Sequence, residues 1–315
     1  MSRIIATGSY LPKKVVTNKE LIEQTAIDSS DEWIVQRTGI QQRHFAAADE
    51  TVSDIAALAA KDLLKQLDEA VVQEIQLIIV ATMSSKLPTP SVASQVQRAL
   101  GIQEAWAFDI SGACSGFVMA LEMAEKLSRD YRSGYTLVIG AEKMSNILNF
   151  DDRGTSILFG DGAGAVLIAN DGVGLPDYQS SLTSIPDPED SIYLASEDPN
   201  KGMMEMEGRA VFNFVLRQVI PSLSDFIENQ VGDFDYLLSH QANYRFIEII
   251  AKKLKVSLDQ VPSNIAQVAN TSAGSIPILL DELVKKEKIK LDGRQKVILV
   301  GYGAGLAWGQ ISLQL

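Results

Sequence analysis

The sequence predicts an α/β protein made of two related halves, and three observations predict it. Short apolar runs of strand length alternate with segments of helical periodicity. The order strand, small-residue turn, amphipathic helix, strand occurs once in each half of the chain. The irregular stretch rich in Gly, Pro, Asp and Ser lies between the two occurrences rather than inside either.

In chain order, Met1-Ser2-Arg3-Ile4-Ile5 reads straight into a strand and lacks the regions of a signal peptide. Leu77-Ile78-Ile79-Val80-Ala81 has the pattern of a buried strand. About thirty residues later Ala105-Trp106-Ala107-Phe108-Asp109-Ile110 forms another, running through Ser111-Gly112-Ala113 to Cys114. A helix-period segment follows with Phe117, Leu121, Ala124 and Leu127 on one face, and Thr136-Leu137-Val138-Ile139-Gly140 closes the unit. The second half replays this. Tyr236-Leu237-Leu238-Ser239-His240 is a strand ending on a histidine. Asn270-Thr271-Ser272-Ala273-Gly274 opens a helix carrying Ile278, Leu279, Leu280 and Leu283, and Lys296-Val297-Ile298-Leu299-Val300-Gly301 repeats the closing strand. The halves are placed at 1–170 and 171–315, meeting around residues 165–210, with residues 171–200 read as loop.

Hydrophobic residues at 46% and charged residues at 22% of 315 describe a soluble globular chain. No apolar run approaches the roughly 18 residues of a membrane span, so a cytoplasmic location is expected. The formal net charge of −12 argues against nucleic acid. A single cysteine rules out an internal disulfide, and with only His44 and His240 beside it a metal centre is not expected.

Cys114 lies between a strand and the first turn of a helix, in Gly112-Ala113-Cys114-Ser115-Gly116. Backbone N–H groups and the helix dipole favour a thiolate there, so the thiol pKa is expected to fall. A lone cysteine is otherwise an inert small hydrophobe. Its small neighbours distinguish this one, leaving room for a substrate and for the close backbone approach of an oxyanion hole. His240 ends a strand, where a histidine is commonly structural. The repetition nevertheless puts His240 at one strand end and Asn270 in the turn corresponding to that of Cys114. Thiol, imidazole and carboxamide come from equivalent ends of one duplicated architecture, where sites of layered α/β folds gather.

Cys114-Ser115-Gly116-Phe117, Asp152-Arg153-Gly154-Thr155, Phe159-Gly160-Asp161-Gly162-Ala163-Gly164-Ala165, His240-Gln241-Ala242-Asn243 and Asn270-Thr271-Ser272-Ala273 resemble the motifs of β-ketoacyl-acyl-carrier-protein synthase III. Asp31-Glu32-Trp33-Ile34, Arg37-Thr38-Gly39-Ile40 and Gly8-Ser9-Tyr10-Leu11-Pro12 extend the resemblance almost end to end. It implies a thiolase-like duplicated fold, two pseudo-symmetric halves in five alternating α/β layers, and a homodimer. The residue count separates relatives: degradative thiolases need a second cysteine and elongating synthases a second histidine, whereas His44 lies in the segment 37–45, away from any duplicated strand end.

The resemblance implies decarboxylative condensation of an acyl-CoA with malonyl-acyl carrier protein through an acyl-Cys114 thioester, initiating fatty acid synthesis without a metal or redox cofactor. Cys114, His240 and Asn270 would be catalytic, with the backbone N–H groups of Cys114 and Ala304 as oxyanion hole; the family usually has glycine at Ala304. Trp33 and Arg153 would clamp the CoA adenine, Arg37 would pair with a CoA phosphate and Asn243 would touch pantetheine. Carrier protein would dock on Gln241, Ala242, Asn243, Tyr244, Arg245, Lys252 and Lys253, while a family basic position is Asn213 here. Thr89, reaching a partner's acyl pocket where other members have phenylalanine, would admit primers longer than acetyl. Met203, Met204 and Met206 read as gap-filling core or as an adaptable wall of that pocket. Competing readings are an acyltransferase to nitrogen or oxygen, a condensing enzyme of secondary metabolism, a papain-type hydrolase, and a non-catalytic scaffold.

Overall fold

Apolar runs such as Leu77-Ile78-Ile79-Val80 have no polar face to offer solvent, so they become strands covered on both sides. The structure, a computed structural model, describes residues 3–130, 133–194 and 204–315. In chain order its strands are β1 Arg3–Tyr10, β2 Lys14–Thr17, β3 Gln42–Phe45, β4 Ile75–Ala81, β5 Trp106–Ile110, β6 Tyr135–Glu142, β7 Gly162–Ala169, β8 Gln179–Ser184, β9 Ile192–Leu194, β10 Met204–Met206, β11 Tyr236–Ser239, β12 Lys296–Gly303 and β13 Ala307–Gln314.

Two sheets organise the molecule. The first has the order β1-β7-β6-β4-β5 and the second β8-β13-β12-β11. In both, the first two pairings are antiparallel and the next is parallel. The repeat seen in the sequence is therefore a repeat of topology, four strands matching four. β5 has no counterpart; the chain ahead of the second turn makes only the isolated bridge Phe159–Asn270.

The helices Gly116–Ser128 and Ser275–Lys285 lie between the sheets, and one core joins Phe117, Leu121, Ala124, Leu279, Leu280 and Leu283 to strands of both. The helices Val52–Leu64 and Val92–Leu100 cover the outer face of the first sheet. Tyr244–Leu254 and the helical run from Gly208 to Val231 cover that of the second. Five layers, α-β-α-β-α, result: the thiolase-like fold.

The stretch 171–200 differs from expectation, because β8 and β9 lie in it. β8, Gln-Ser-Ser-Leu-Thr-Ser, carries no apolar run; it is held at the sheet edge by its ladder to β13, which leaves no trace in hydropathy. Met204 and Met206 form β10, paired with β9, while Met203 lies outside the described residues. Among the described residues no helix is long and apolar enough to cross a membrane.

Candidate active site

The centre of the molecule is where the two pseudo-equivalent turns meet. Ala113–Ser115 and Ser272–Gly274 are single 3-10 turns, each leading into one of the two central helices. Their first residues, Ala113 at φ +45° and Ser272 at φ +49°, both sit in the left-handed region. Matched turn by turn, Cys114 corresponds to Ala273, and Asn270 to Ser111 rather than to the cysteine itself. The close approach needs glycine: a Cβ on Gly140 would lie 2.1 Å from the Ala273 carbonyl oxygen. On the far side of Cys114, a Cβ on Gly303 would lie 2.9 Å from the cysteine Cβ.

Cys114 is half-buried, facing a cavity rather than bulk solvent. The expectation of a lowered thiol pKa is overturned. Burial pushes the thiol up to about 12 and the Glu142 carboxylate adds to the rise, against hydrogen bonds from the Ser272 hydroxyl and the residue's own backbone. Desolvation in this dry setting outweighs the dipole of the helix Gly116–Ser128 that begins just beyond the sulfur. The resting group is a thiol.

His240 follows β11 and is buried. Its Nδ1 lies 2.8 Å from the Ser275 Oγ, which also accepts the Gln241 N–H, so Nε2 is left for the cavity. Burial pushes the imidazole down to about 3, so it is neutral at physiological pH. Asn270 is buried too, and its Oδ1 accepts the Ser272 N–H at 2.8 Å, leaving the Nδ2 donor for the cavity it lines. Cys114, His240 and Asn270 thus line a single cavity of about 1030 Å³. A neutral imidazole and a carboxamide beside a thiol can hold a thioester carbonyl and stabilise negative charge developing on its oxygen.

Ala304 lines the same cavity in the turn between β12 and β13. It is not among the residues with positive φ, so alanine replaces glycine there without backbone strain. Trp33, Arg37, Arg153 and Asn243 line the cavity as well. The Arg153 guanidinium lies over the Trp33 ring at 4.8 Å and that of Arg37 at 5.7 Å. A base entering between Trp33 and Arg153 must displace the arginine, whose Nη1 donates to the Asp28 carbonyl. Asn243 caps the helix Tyr244–Leu254 through Oδ1 and donates to the Arg37 carbonyl through Nδ2. On that helix Arg245, Lys252 and Lys253 are exposed, with Glu248 between Arg245 and Lys252 on the same face. Ala242 and Tyr244 are partly exposed. Gln241 is a correction: it is fully buried, donating to the Ser239 carbonyl and accepting from Ser263, and offers no side chain to a docking protein. Thr89 is exposed and lines no part of this chain's own cavity. His44, on β3, has Nδ1 against the Pro12 carbonyl, outside the cavity.

Met83, Phe159, Leu194, Met204, Met206 and Phe212 supply apolar lining to the cavity. Sequence reasoning missed four groups. Ser275 orients His240, and Tyr302 packs edge-on against the imidazole, donating to the His240 carbonyl. Ser272 and Glu142 bear on the Cys114 thiol, the hydroxyl lowering its pKa and the carboxylate raising it. The one signal available was an acidic residue ending the apolar strand β6, where a charge has no packing reason to be.

Comparison with known proteins bears on the whole chain. The family model described as 3-oxoacyl-[acyl-carrier-protein (ACP)] synthase III matches residues 108–184, and that of its C-terminal part matches residues 227–315. The β-ketoacyl-[acyl-carrier-protein] synthase III of Streptococcus gordonii is 45% identical over 98% of this chain and 98% of its own. The crystal structure of 3-oxoacyl-[acyl-carrier-protein] synthase III from Aquifex aeolicus superposes with a TM-score of 0.91 at 36% identity, covering 100% of both chains. The priming β-ketosynthase of the R1128 polyketide pathway gives a TM-score of 0.90 at 32% identity, covering 100% of this chain and 96% of that one. Matched over its whole length in this way, the chain belongs to the β-ketoacyl-[acyl-carrier-protein] synthase III family of condensing enzymes.

Proposed function

We propose that this chain condenses an acyl-CoA primer with malonyl-acyl carrier protein, the step that initiates a fatty acid. The observation carrying this reading is that Cys114, His240 and Asn270 open on one cavity that Trp33, Arg37 and Arg153 also line. Cys114 sulfur attacks the acyl thioester and gives up its proton, the oxyanion is held by the N–H groups of Cys114 and Ala304, and the bond from the acyl carbon to the CoA sulfur breaks, CoA leaving with that proton as the free thiol. Malonyl thioester then binds with its carbonyl against His240 Nε2–H and Asn270 Nδ2–H. Loss of carbon dioxide gives an enolate stabilised by those donors; its carbon attacks the acyl-Cys114 thioester, the acyl carbon–sulfur bond breaks, and the β-ketoacyl thioester departs, leaving Cys114 free. Both donors are neutral, so neither needs a proton from solvent to act. No metal or redox group enters any step.

Trp33 and Arg153 are the proposed adenine clamp, Arg37 the phosphate partner, and Asn243 a contact for the pantetheine arm. Arg245, Lys252 and Lys253, with Ala242 and Tyr244, form the proposed docking face for an acidic carrier protein. The halves 1–170 and 171–315 are supported by the strands themselves: those of the first sheet end at Ala169 and those of the second begin at Gln179. A homodimer is favoured by β5, which pairs only with β4 and leaves an edge carrying the exposed Trp106. In such a dimer Thr89 would close the partner's acyl pocket and admit primers longer than acetyl. A cytoplasmic location fits this chemistry.

The experiment is to incubate the protein with a panel of acyl-CoAs, read the mass shift on Cys114, and add malonyl-acyl carrier protein. An adduct that clears with release of carbon dioxide is expected; failure to form any adduct refutes the reading. A second reading, priming of a polyketide, is favoured by the likeness to the R1128 enzyme. It predicts turnover with a polyketide carrier protein and none with a fatty-acid one.

A further inference from the structure

Arg43, on β3, is a fully buried cation that takes part in none of the steps above. Among the described residues no carboxylate forms a salt bridge with it. Its Nη2 donates to the Ile157 carbonyl at 2.8 Å, at the end of the short helix Arg153–Ser156. Its Nη1 donates to the Asn18 Oδ1 at 2.7 Å and to the Val16 carbonyl of β2 at 3.4 Å. Asn18 opens the helix Asn18–Gln24, is itself fully buried, and passes the connection on. Its Nδ2 donates to the Asp31 Oδ1 and to the Ile40 carbonyl, both at 2.7 Å. Asp31 begins the helix Asp31–Thr38 and Ile40 lies just past its end, so one amide holds both ends of the helix that carries Trp33 and Arg37. The surroundings are apolar: Val16, Ile34, Phe45 and Ile157 form one cluster, with Trp33 packed against it. An apolar side chain would fill this place without the cost of burying a charge. What the guanidinium adds is direction, since its planar fork fixes how the segments that accept from it are set against one another.

We infer that Arg43 and Asn18 are positioning residues for CoA: their hydrogen bonds set the helix bearing Trp33 and Arg37 against the helix bearing Arg153. The inference rests on the reading of Trp33, Arg37 and Arg153 as the CoA contacts. Both sides of that clamp return to one guanidinium, the Arg153 side through Ile157 and the Trp33 side through Asp31 and Asn18. Neither Arg43 nor Asn18 lines the cavity, so each reaches the ligand only through the placement of these helices. The two are not equivalent. Beyond Ile157 the Leu158 carbonyl accepts the Asn270 N–H, which ties the Arg43 side to the condensing residues as well. The bonds from the Asn18 amide to Asp31 and Ile40 act on the helix Asp31–Thr38 alone. Asn18 is therefore where the nucleotide contacts can be disturbed while the reacting thioester is left in place.

Asn18→Asp keeps an acceptor for Arg43 but sets a carboxylate against the Asp31 carboxylate and the Ile40 carbonyl. Acyl-Cys114 formation is read by mass over a range of butyryl-CoA concentrations. The half-saturating concentration should rise about tenfold or more in the variant, with the maximal rate unchanged. The butyryl thioester of N-acetylcysteamine, which lacks the nucleotide, should acylate variant and wild type equally fast. Adding Asp31→Asn, whose amide can donate to the new carboxylate, should restore most of the affinity for butyryl-CoA. Should Asn18→Asp not fold, Asp31→Ala removes one of the same bonds at an exposed helix end and should raise the half-saturating concentration in the same way. An unchanged half-saturating concentration in the folded variant would overturn the inference. So would an equal loss with both thioesters, the mark of a merely structural asparagine. Wild type that takes butyryl no more readily from CoA than from N-acetylcysteamine would overturn the clamp reading itself, and the inference with it.

Discussion

Acidification from pH 8 to pH 5 should leave the decarboxylation half-reaction almost unchanged. The perturbation separates a buried neutral imidazole from an ordinary one. With an ordinary pKa of about 6.5, only about 3% of a histidine is neutral at pH 5, a loss of roughly thirty-fold. His240, pushed down to about 3 by burial, remains about 99% neutral at that pH. Protonating it inside the fold costs roughly 5 kcal/mol more than in the unfolded chain, since each pKa unit is worth about 1.4 kcal/mol. The assay is carbon dioxide release from a malonyl thioester by Cys114→Ala, which cannot be acylated and so isolates this step. A flat profile is expected. A thirty-fold fall with a midpoint near pH 6.5 would refute the neutral-donor account.

Three further outcomes follow from the same geometry. Ser275→Ala removes the hydroxyl at His240 Nδ1; a lost hydrogen bond of about 1–1.5 kcal/mol should lower kcat for decarboxylation roughly tenfold with KM little changed, as steady-state kinetics would read. Gly303→Ala puts a methyl 2.9 Å from the Cys114 Cβ; about 1–3 kcal/mol of overpacking should slow Cys114 acylation about ten- to hundredfold, and an unchanged rate would show that this contact does not position the sulfur. Stability should respond to acid in two opposed ways. The unfolded chain binds more protons at His240 between about pH 3 and 6.5, so this contribution is lost as pH falls through that window. Glu142, raised to about 7, binds more protons folded than unfolded between about pH 4.5 and 7 and gains stability on acidification. Glu142→Gln should therefore lose stability more steeply than wild type between pH 7 and 4.5 in urea melts; a parallel loss would contradict the sign.

Much of the fold was legible because both sheets bury their strands on two faces, which writes Leu77–Val80 and Val297–Val300 as unbroken apolar runs. The two turns were legible because close approach demands small residues at Gly112-Ala113-Cys114 and Ser272-Ala273-Gly274. β8 was not legible, since an edge strand held by backbone bonds needs no hydropathy signal. The thiol's rise was hidden for another reason: sequence reveals the helix start but not the depth of the cavity or the carboxylate beside the sulfur. Gln241 misled because its motif neighbours line the cavity while its own side chain turns inward to Ser239 and Ser263. Ser275 lies 35 residues from His240, whose ring it holds, so only the assembled structure reveals it.

The central claim is that Cys114 carries the acyl group and that His240 and Asn270 act only afterwards. It is tested most directly by single-turnover mass measurement with acyl-CoA and then malonyl-acyl carrier protein, in wild type and in His240→Ala. Wild type should gain the acyl mass on Cys114 and lose it on addition of the malonyl thioester. His240→Ala should gain the same mass and keep it. Absence of acyl mass in His240→Ala, with wild type acylated, would make the histidine the base for the thiol and contradict the division of labour argued from its neutral, buried state.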